Sequence, residues 1–108
     1  MNQRIDNAIV KFGIPFTALE KIIYTIKLDK RVKEIILFGS RAKGNFKKGS
    51  DVDIAIIAES LSFDELNKIR AAINELVLPY YVDIIDFNKI TNDKLKEHIL
   101  RVGQVLGL

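Results

Sequence analysis

Three short runs of β-branched and apolar residues, set among amphipathic stretches, constrain the fold of this chain more than any other feature. The runs span residues 32–38, 51–58 and 81–87, which is the length of ordinary strands. Stretches with apolar residues at helical spacing precede the first run, separate the second from the third and follow the third. Because each amphipathic helix needs an apolar surface to cover, this order predicts an α/β or α+β fold with a mixed sheet of at least three strands.

Two of the predicted helices begin at capping boxes, in which a hydroxyl and a carboxylate each bind an otherwise unpaired backbone donor. Thr17 and Glu20 form the first such pair, and the apolar spacing after them predicts a helix over roughly residues 17–29. Ser62 and Glu65 form the second pair, before the helix that separates the second and third strands.

The last helix is expected to begin near Thr91 and to carry a single apolar face. That face consists of Leu95, Ile99, Val102 and Leu106. We expect it to cover the sheet, although an exposed face of this kind could also dock a partner.

Length and composition favour one folded domain over residues 1–108. The chain has the size of an ordinary domain, and 48% hydrophobic with 29% charged residues is typical of globular proteins. No run of about 18 uncharged apolar residues occurs, so no membrane span is expected. The chain begins without the plan of a secretory signal and has no cysteine for a disulfide or a thiolate metal site. These features favour a cytoplasmic location.

Two carboxylates are expected on one face of the second predicted strand. Asp51 and Asp53 are two residues apart, and side chains at that spacing point to the same face. Two like charges held this close repel one another, and burial would add to the cost. A divalent cation removes that cost, and Mg²⁺ prefers carboxylate oxygens together with substrate phosphates. An isolated Asp-x-Asp is, however, as often a turn cap followed by a solvated edge residue.

Asp83 interrupts the otherwise apolar third strand and is a third candidate carboxylate. If the third strand pairs beside the second, Asp83 completes a cluster with Asp51 and Asp53. Such a cluster suits two-metal chemistry, in which one ion lowers the pKa of an attacking hydroxyl and the other stabilises the leaving group. Asp83 is also a candidate general base for that hydroxyl. Asp86 falls on the opposite face of a regular strand and is the weaker candidate.

The connection over residues 39–50 has the chemistry of an anion-binding loop. It follows a strand, where a turn leaves backbone N–H groups free, and Gly39 permits close approach of a phosphate. Ser40 adds a hydroxyl donor, and Arg41 and Lys43 are candidate phosphate neighbours by charge and position. A Gly-Ser pair alone is more often a plain turn, and a basic window is more often a solvated loop.

Two familiar glycine motifs do not explain this loop. Gly39 and Gly44 have the four intervening residues of a phosphate-binding P-loop, but Asn45-Phe46 stands where that motif requires Lys followed by Ser or Thr. No Gly-x-Gly-x-x-Gly dinucleotide fingerprint occurs either. The combination of the loop with the three aspartates remains the informative pattern.

Three further residues are expected to have structural roles. His98 is the only histidine and has no second ligand at metal-binding spacing, so a surface or helix-edge position is favoured. Tyr80 and Tyr81 are candidates for stacking on a base, but packing is favoured for both.

The order Gly39-Ser40, ten residues and Asp51-Val52-Asp53-Ile54 resembles the signature of the DNA polymerase β-like nucleotidyltransferase superfamily. The run Gly-Ser-Arg-Ala-Lys-Gly and the later Val82-Asp83-Ile84-Ile85-Asp86 are similar to its minimal branch, the MNT proteins of bacteria and archaea. The resemblance extends from about residue 33 to 87, with compatible helices on both sides. It implies the polymerase β-like fold and transfer of a nucleoside monophosphate from an NTP to a hydroxyl, with release of pyrophosphate.

The resemblance also implies roles for individual residues. Gly39 and Ser40 would hold the triphosphate, which is expected to be that of ATP. Asp51 and Asp53 would ligate two Mg²⁺ ions, with Mn²⁺ as an alternative, and Asp83 would be the third carboxylate of the metal site.

The resemblance further implies a partner. Minimal members are commonly paired with a small helical HEPN protein, and in several pairs the MNT protein is an antitoxin that can add AMP to a tyrosine of the HEPN toxin. Because members this short lack the extra domain that larger relatives use for the acceptor, a HEPN-type partner or a homo-oligomer is expected.

Two other functions remain open at this point. One is a catalytically inactive nucleotide-binding or antitoxin module that acts by occupying its partner. The other is a nucleic-acid-binding domain that uses the basic window from Arg41 to Lys48. Retention of all three carboxylates favours an active enzyme, and a groove lined by aspartates would repel a phosphate backbone in the absence of metal. Nucleic acids and membranes are therefore not expected as partners.

Overall fold

The computed structural model describes residues 11–107, which form a mixed four-stranded sheet with helices on both faces. The predicted mixed sheet of at least three strands is confirmed, whereas the predicted single domain over residues 1–108 extends beyond the described residues at both ends. Among residues 11–107, no helix combines the length and the apolar character needed to cross a membrane. In chain order, the elements are α1 (Phe16–Lys27), β1 (Val32–Phe38), α2 (Gly39–Lys43), β2 (Val52–Ala58), α3 (Phe63–Asn74), β3 (Val82–Asp86), a 3₁₀ turn (Phe87–Lys89), α4 (Asp93–Val102) and β4 (Gln104–Val105).

The strands lie in the order β3-β2-β1-β4. β1 is antiparallel to β2 and to β4, whereas β2 and β3 are parallel neighbours joined through α3. The sequence pattern does not predict β4, because its two residues are too few to show alternation.

One face of the sheet is closed by the larger apolar core. Alternate residues of β1, β2 and β3 point into this core, and the apolar sides of α1 and α3 cover it. Burying a side chain of the size of isoleucine or leucine stabilises the fold by roughly 1.5–3 kcal/mol, so this face supplies a large part of the folding free energy. Its fully buried strand positions include Ile35, Leu37, Val52, Ile54, Ile56 and Ile84.

The opposite face of the sheet is covered by α4, around a second and smaller cluster. This cluster consists of Ile36, Phe38, Ala55 and Ile99. The apolar side of α4 therefore packs on the sheet, as predicted. Leu106 is not on that side: α4 ends at Val102, and Leu106 follows β4 into the larger core, which corrects the prediction of one continuous helical face.

The two predicted capping boxes have different outcomes. At α3 the Ser62 hydroxyl accepts from the Glu65 N–H at 3.1 Å, and the Glu65 carboxylate accepts from the Ser62 N–H at 2.8 Å, as predicted. At α1 the prediction is wrong, because the helix begins at Phe16 and Thr17 lies inside its first turn, with Pro15 at the N-cap. Local start signals thus locate a helix only to within a residue or two.

Candidate active site

Two of the predicted carboxylates lie side by side on the α4 face of the sheet. β2 and β3 pair in parallel with Asp53 opposite Asp83, and neighbouring strands are about 4.8 Å apart. The residues on both sides of Asp53, Val52 and Ile54, are buried in the larger core, so the aspartate must point the other way. Asp51 comes just before β2 and is exposed. The structure therefore brings Asp53 and Asp83 together, with Asp51 at the start of the strand.

Burial and repulsion act in the same direction on Asp53. Its pKa is raised from 3.8 to about 6, chiefly because the carboxyl is partly buried, and further because Asp83 and Asp51 repel its charge. Every influence on this pKa within the described residues raises it. The site thus holds negative charge that no group among residues 11–107 compensates.

The backbone turn after β1 passes directly against Asp53. Phe38, the last residue of β1, is the register partner of Asp53, and Gly39 follows with a φ of +73°. A Cβ on Gly39 would lie 2.2 Å from Oδ2 of Asp53. Both the positive φ and the close approach therefore require glycine at this position.

Ser40 and Lys43 lie on α2, the short helix that begins at this turn. Ser40 is half-buried and Lys43 is exposed. Gly44 ends the helix in the left-handed conformation, and its N–H donates to the Ser40 carbonyl at 2.8 Å. The short helical turn that the sequence suggests is present, and it starts at the end of the sheet that carries the aspartates.

Arg41 is buried rather than available to a phosphate. It is 1% exposed, and its guanidinium carbon lies 5.4 Å from the ring centroid of Phe46 and 5.0 Å from that of Tyr80. The structure contradicts the predicted phosphate contact, because the guanidinium donates to backbone carbonyls inside the protein. The acceptors are Phe12 (3.0 Å), Gly13 (3.2 Å), Lys48 (3.4 Å) and Ser50 (2.8 and 3.0 Å).

These contacts let Arg41 close the loop that precedes β2. The two hydrogen bonds to Ser50 tie the beginning of the loop to the residue next to Asp51. Tyr80 packs on the guanidinium, in agreement with the packing role favoured for it. Tyr81 is 60% exposed, so the packing role favoured for its side chain is not found.

His98 lies nearer to these residues than the sequence pattern predicts. It belongs to α4 and is half-buried, and its Nε2 accepts a hydrogen bond from the Gly39 N–H at 3.2 Å. Its ring meets that of Phe38 edge to face, with centroids 6.2 Å apart. The half-buried ring thus keeps the favoured helix-edge position and in addition contacts the turn after β1. No local pattern could show this contact, because His98 and Gly39 are 59 residues apart in the chain.

Asp86 lies outside the acidic site, as its position in the strand predicts. It is 5% exposed at the far end of β3, on the face of the larger core. Its Oδ1 accepts from the Asn88 N–H at 3.0 Å, and its Oδ2 lies 3.9 Å from Nζ of Lys89. Asp86 therefore caps the 3₁₀ turn.

A comparison with known protein families agrees with this arrangement. The family described as polymerase beta, nucleotidyltransferase matches residues 20–107. The chain belongs to this family. The match includes the turn after β1, both paired aspartates and α4, and thus the whole candidate site.

Three members or structural neighbours of the nucleotidyltransferase family show the extent of the likeness. "Probable protein adenylyltransferase MntA" of Haemophilus influenzae is 41% identical over 70 residues, which cover 64% of this chain and 60% of the relative's length. A crystal structure of a toxin-antitoxin with AMP-PNP has a TM-score of 0.69 at 25% identity, covering 82% of this chain and 72% of the other. The structure of a tri-AMPylated Shewanella oneidensis HEPN toxin with MNT antitoxin has a TM-score of 0.59 at 22% identity, covering 85% and 71%, and shows the fold alone.

The side chains of this nucleotidyltransferase-family chain fit a hard divalent cation that is bound together with a substrate. Within residues 11–107, no three histidine, cysteine, aspartate or glutamate side chains converge into a cage that would hold a metal ion unaided. Asp53 and Asp83 are nevertheless adjacent oxygen donors. A cation would offset both the burial and the repulsion that raise the Asp53 pKa. Mg²⁺ commonly binds through one or two carboxylates, water and substrate phosphates. The donor set is therefore suited to Mg²⁺ that arrives with a nucleotide.

Proposed function

We propose that this chain is a metal-dependent nucleotidyltransferase that transfers AMP from ATP to a hydroxyl group and releases pyrophosphate. One observation carries the proposal: Asp53 and Asp83 are paired in register, and the Gly39 turn lies directly against Asp53. Uncompensated carboxylates beside a glycine turn have no evident structural purpose, because they raise the cost of folding. They are what a site for a metal-bound triphosphate requires.

The carboxylates would hold the metal ions, and the turn would hold the phosphates. We assign Asp51 and Asp53 to two Mg²⁺ ions, with Asp83 as the third carboxylate. When bound, these ions would supply charge neutralisation for the attacking and leaving oxygens. Gly39 and Ser40 would orient the triphosphate, because the glycine leaves room for close approach and the serine offers a hydroxyl donor. Exposed Lys43 is placed one helical turn further on and would add positive charge.

The proposed transfer is a single displacement at the α-phosphorus of ATP. The acceptor oxygen attacks this phosphorus, and the bond from the phosphorus to the oxygen that bridges it to the β-phosphate breaks. Pyrophosphate leaves with the electron pair of that bond. We assign the proton of the acceptor hydroxyl to Asp83, which neighbours Asp53 across the strands. Asp53 would remain ionised in this complex, since bound cations favour the charged form of a carboxyl.

The acceptor is proposed to be a tyrosine hydroxyl on a HEPN-type partner protein. Two similarities support this: one relative is named a protein adenylyltransferase, and one structural neighbour is an MNT antitoxin in complex with an AMPylated HEPN toxin. Asp51 and Tyr81 are exposed at the same end of the sheet, so the site is open to a second molecule. Use of ATP also fits the predicted cytoplasmic location.

A labelling experiment tests this function. The chain is incubated with Mg²⁺ and each α-labelled NTP, alone and with the product of its neighbouring gene. We expect label on the partner with ATP, no label after chelation of the metal, and no label with the Asp53→Asn variant. Asp86→Asn is the matched control, because it removes the same charge outside the site.

The alternative is a catalytically inactive module that acts by binding its partner. Titration of the chain with Mg²⁺ and AMP-PNP, read together with the labelling, tests this alternative. Absence of label together with absence of metal-dependent nucleotide binding would refute the enzyme and leave partner binding as the function.

A further inference from the structure

The contact between His98 and Gly39 joins α4 to the turn that lies on Asp53. The Gly39 N–H donates to Nε2 of His98 at 3.2 Å. An accepting Nε2 belongs to the neutral imidazole that carries its proton on Nδ1. Gly39 is the first residue of α2. The N-cap residue of this helix is Phe38, which has no polar side chain to accept from the first N–H groups. The imidazole takes that place from a distant part of the chain.

The packing of α4 fixes where the imidazole lies. Ile99, the next residue, is 1% exposed in the smaller cluster with Phe38. At the end of α4, a Cβ on Gly103 would lie 2.3 Å from the Ile99 carbonyl oxygen and 2.6 Å from Cγ2 of Ile36. The end of α4 therefore packs closely against the Ile36 side chain of β1. The edge-to-face contact with Phe38 fixes the ring itself.

The Gly39 peptide is thus held from two sides. His98 accepts its N–H, while its Cα lies so near Asp53 that no side chain fits between them. Without the imidazole, the Gly39 N–H would lack its partner and the turn could rotate. Because Gly39 already lies against Asp53, that rotation would move the turn away from Asp53. The orientation of the Ser40 hydroxyl would change with it.

We propose that His98 is a positioning residue, which fixes the Gly39-Ser40 turn relative to Asp53 by accepting the Gly39 N–H. The inference rests on the proposed function, because it concerns how that turn holds a nucleotide. His98 acts through the backbone of Gly39 and contacts neither the metal ions nor the reacting atoms.

The hydrogen bond itself is tested without nucleotide. In the ¹⁵N-labelled full chain, an N–H···N hydrogen bond gives a scalar coupling between the Gly39 amide nitrogen and Nε2 of His98. We expect this coupling, and a histidine with its proton on Nδ1. Absence of the coupling, with the Gly39 amide exchanging as fast as an unprotected one, would overturn the inference.

Two variants separate an acceptor from a packing role. His98→Gln keeps an acceptor, because its Oε1 lies as many bonds from the backbone as Nε2 does, but it loses the ring. His98→Phe keeps the ring against Phe38 and loses the acceptor. We expect His98→Phe to weaken binding of Mg²⁺–AMP-PNP and to lower kcat for transfer, each by roughly fivefold to tenfold. We expect His98→Gln to stay within about twofold of the wild-type chain in both.

The opposite ranking would refute the proposal: if His98→Phe binds and transfers like the wild type while His98→Gln does not, the ring only packs. Thermal unfolding of both variants normalises each rate to folded protein. The same measurements distinguish failure of the proposed function from failure of the positioning role alone. If the coupling is present but the chain binds no Mg²⁺–nucleotide, the nucleotide site is refuted, and the positioning role with it. Loss of the coupling with nucleotide binding intact would refute the positioning role alone.

Discussion

The two faces of the sheet are formed by the same strands but have different roles. On one face, Ile54 and Ile84 are buried in the larger core under α1 and α3. On the other, their sequence neighbours Asp53 and Asp83 form a repulsive pair that a bound cation would compensate. The alternation of a strand makes this separation possible, because adjacent residues point to opposite sides. One face can therefore stabilise the fold while the other retains a charge arrangement that opposes folding.

The largest expected effect is on the transfer rate, when a carboxylate of the acidic face is removed and the larger core is left unchanged. Asp53→Asn should lower transfer by roughly 10³-fold or more, because it removes a metal-binding carboxylate. Asp86→Asn should leave the transfer rate of folded protein nearly unchanged, since Asp86 caps the 3₁₀ turn on the other face. Initial rates of labelling, normalised to folded protein, measure both. Equal losses in the two variants would remove the functional distinction between the faces.

A second pair of variants compares the faces by stability alone. Ile54 is fully buried in the larger core, whereas Ile57, on the same strand, is half-buried beside the smaller cluster. We expect Ile54→Ala to lower the free energy of unfolding by about 3–4 kcal/mol and Ile57→Ala by about 1–2 kcal/mol. Urea unfolding measured by circular dichroism checks the ranking. A larger loss at Ile57 would mean that α4, rather than the larger core, carries the stability.

The difference between the faces also explains what sequence patterns can predict. The runs of β-branched residues indicate three of the four strands, and the two-residue spacing of Asp51 and Asp53 indicates a shared face. These are short-range properties of the backbone. The pairing of Asp53 with Asp83 follows only if β2 and β3 are neighbours, and the structure supplies that condition.

Contacts between distant parts of the chain escape such patterns. Arg41 looks like a loop cation, but its burial depends on carbonyls of Phe12 and Gly13 that lie 29 and 28 residues away. The contact of His98 with Gly39 spans 59 residues. In both cases the residue type suggests charge or solvent exposure, whereas tertiary packing determines the partner.

A pair of glycine substitutions tests the Gly39 turn. Gly39→Ala places a Cβ 2.2 Å from Oδ2 of Asp53 and also forces alanine to a positive φ. Gly44→Ala imposes a comparable strain, at a φ of +99°, and within residues 11–107 no atom beyond its chain neighbours lies within 4 Å of the new Cβ. We expect losses of about 2–3 and about 1 kcal/mol in the free energy of unfolding, respectively. Only Gly39→Ala should also weaken binding of Mg²⁺–AMP-PNP; equal effects on binding would show that close approach to Asp53 is unimportant.

The smallest expected effect is a pH-dependent gain in stability for the metal-free Asp53→Asn variant. The folded-state pKa of Asp53, about 6, lies above its ordinary value of 3.8, so the folded state binds more protons than the unfolded state between these values. The charged carboxyl therefore destabilises the native chain fully above about pH 6, and the cost disappears as the pH falls towards 3.8. Because Asp53 is only partly buried, solvent screening limits the gain of the asparagine variant at pH 8 to on the order of 1 kcal/mol.

Urea unfolding of both chains in chelator, at pH 8 and at pH 4.5, measures this gain and its loss. Saturating Mg²⁺ with AMP-PNP at pH 8 should reverse the order of stability, because the bound cation compensates the aspartates and stabilises only the wild-type chain. The free energy of unfolding without ligand thus measures the repulsion between the carboxylates, and that of the complex measures how far the bound cation relieves it. If Asp53→Asn has the same free energy of unfolding as the wild-type chain at pH 8 without ligand, the charges of Asp53 and Asp83 do not destabilise the fold. The contrast between the two faces would then reduce to their different burial.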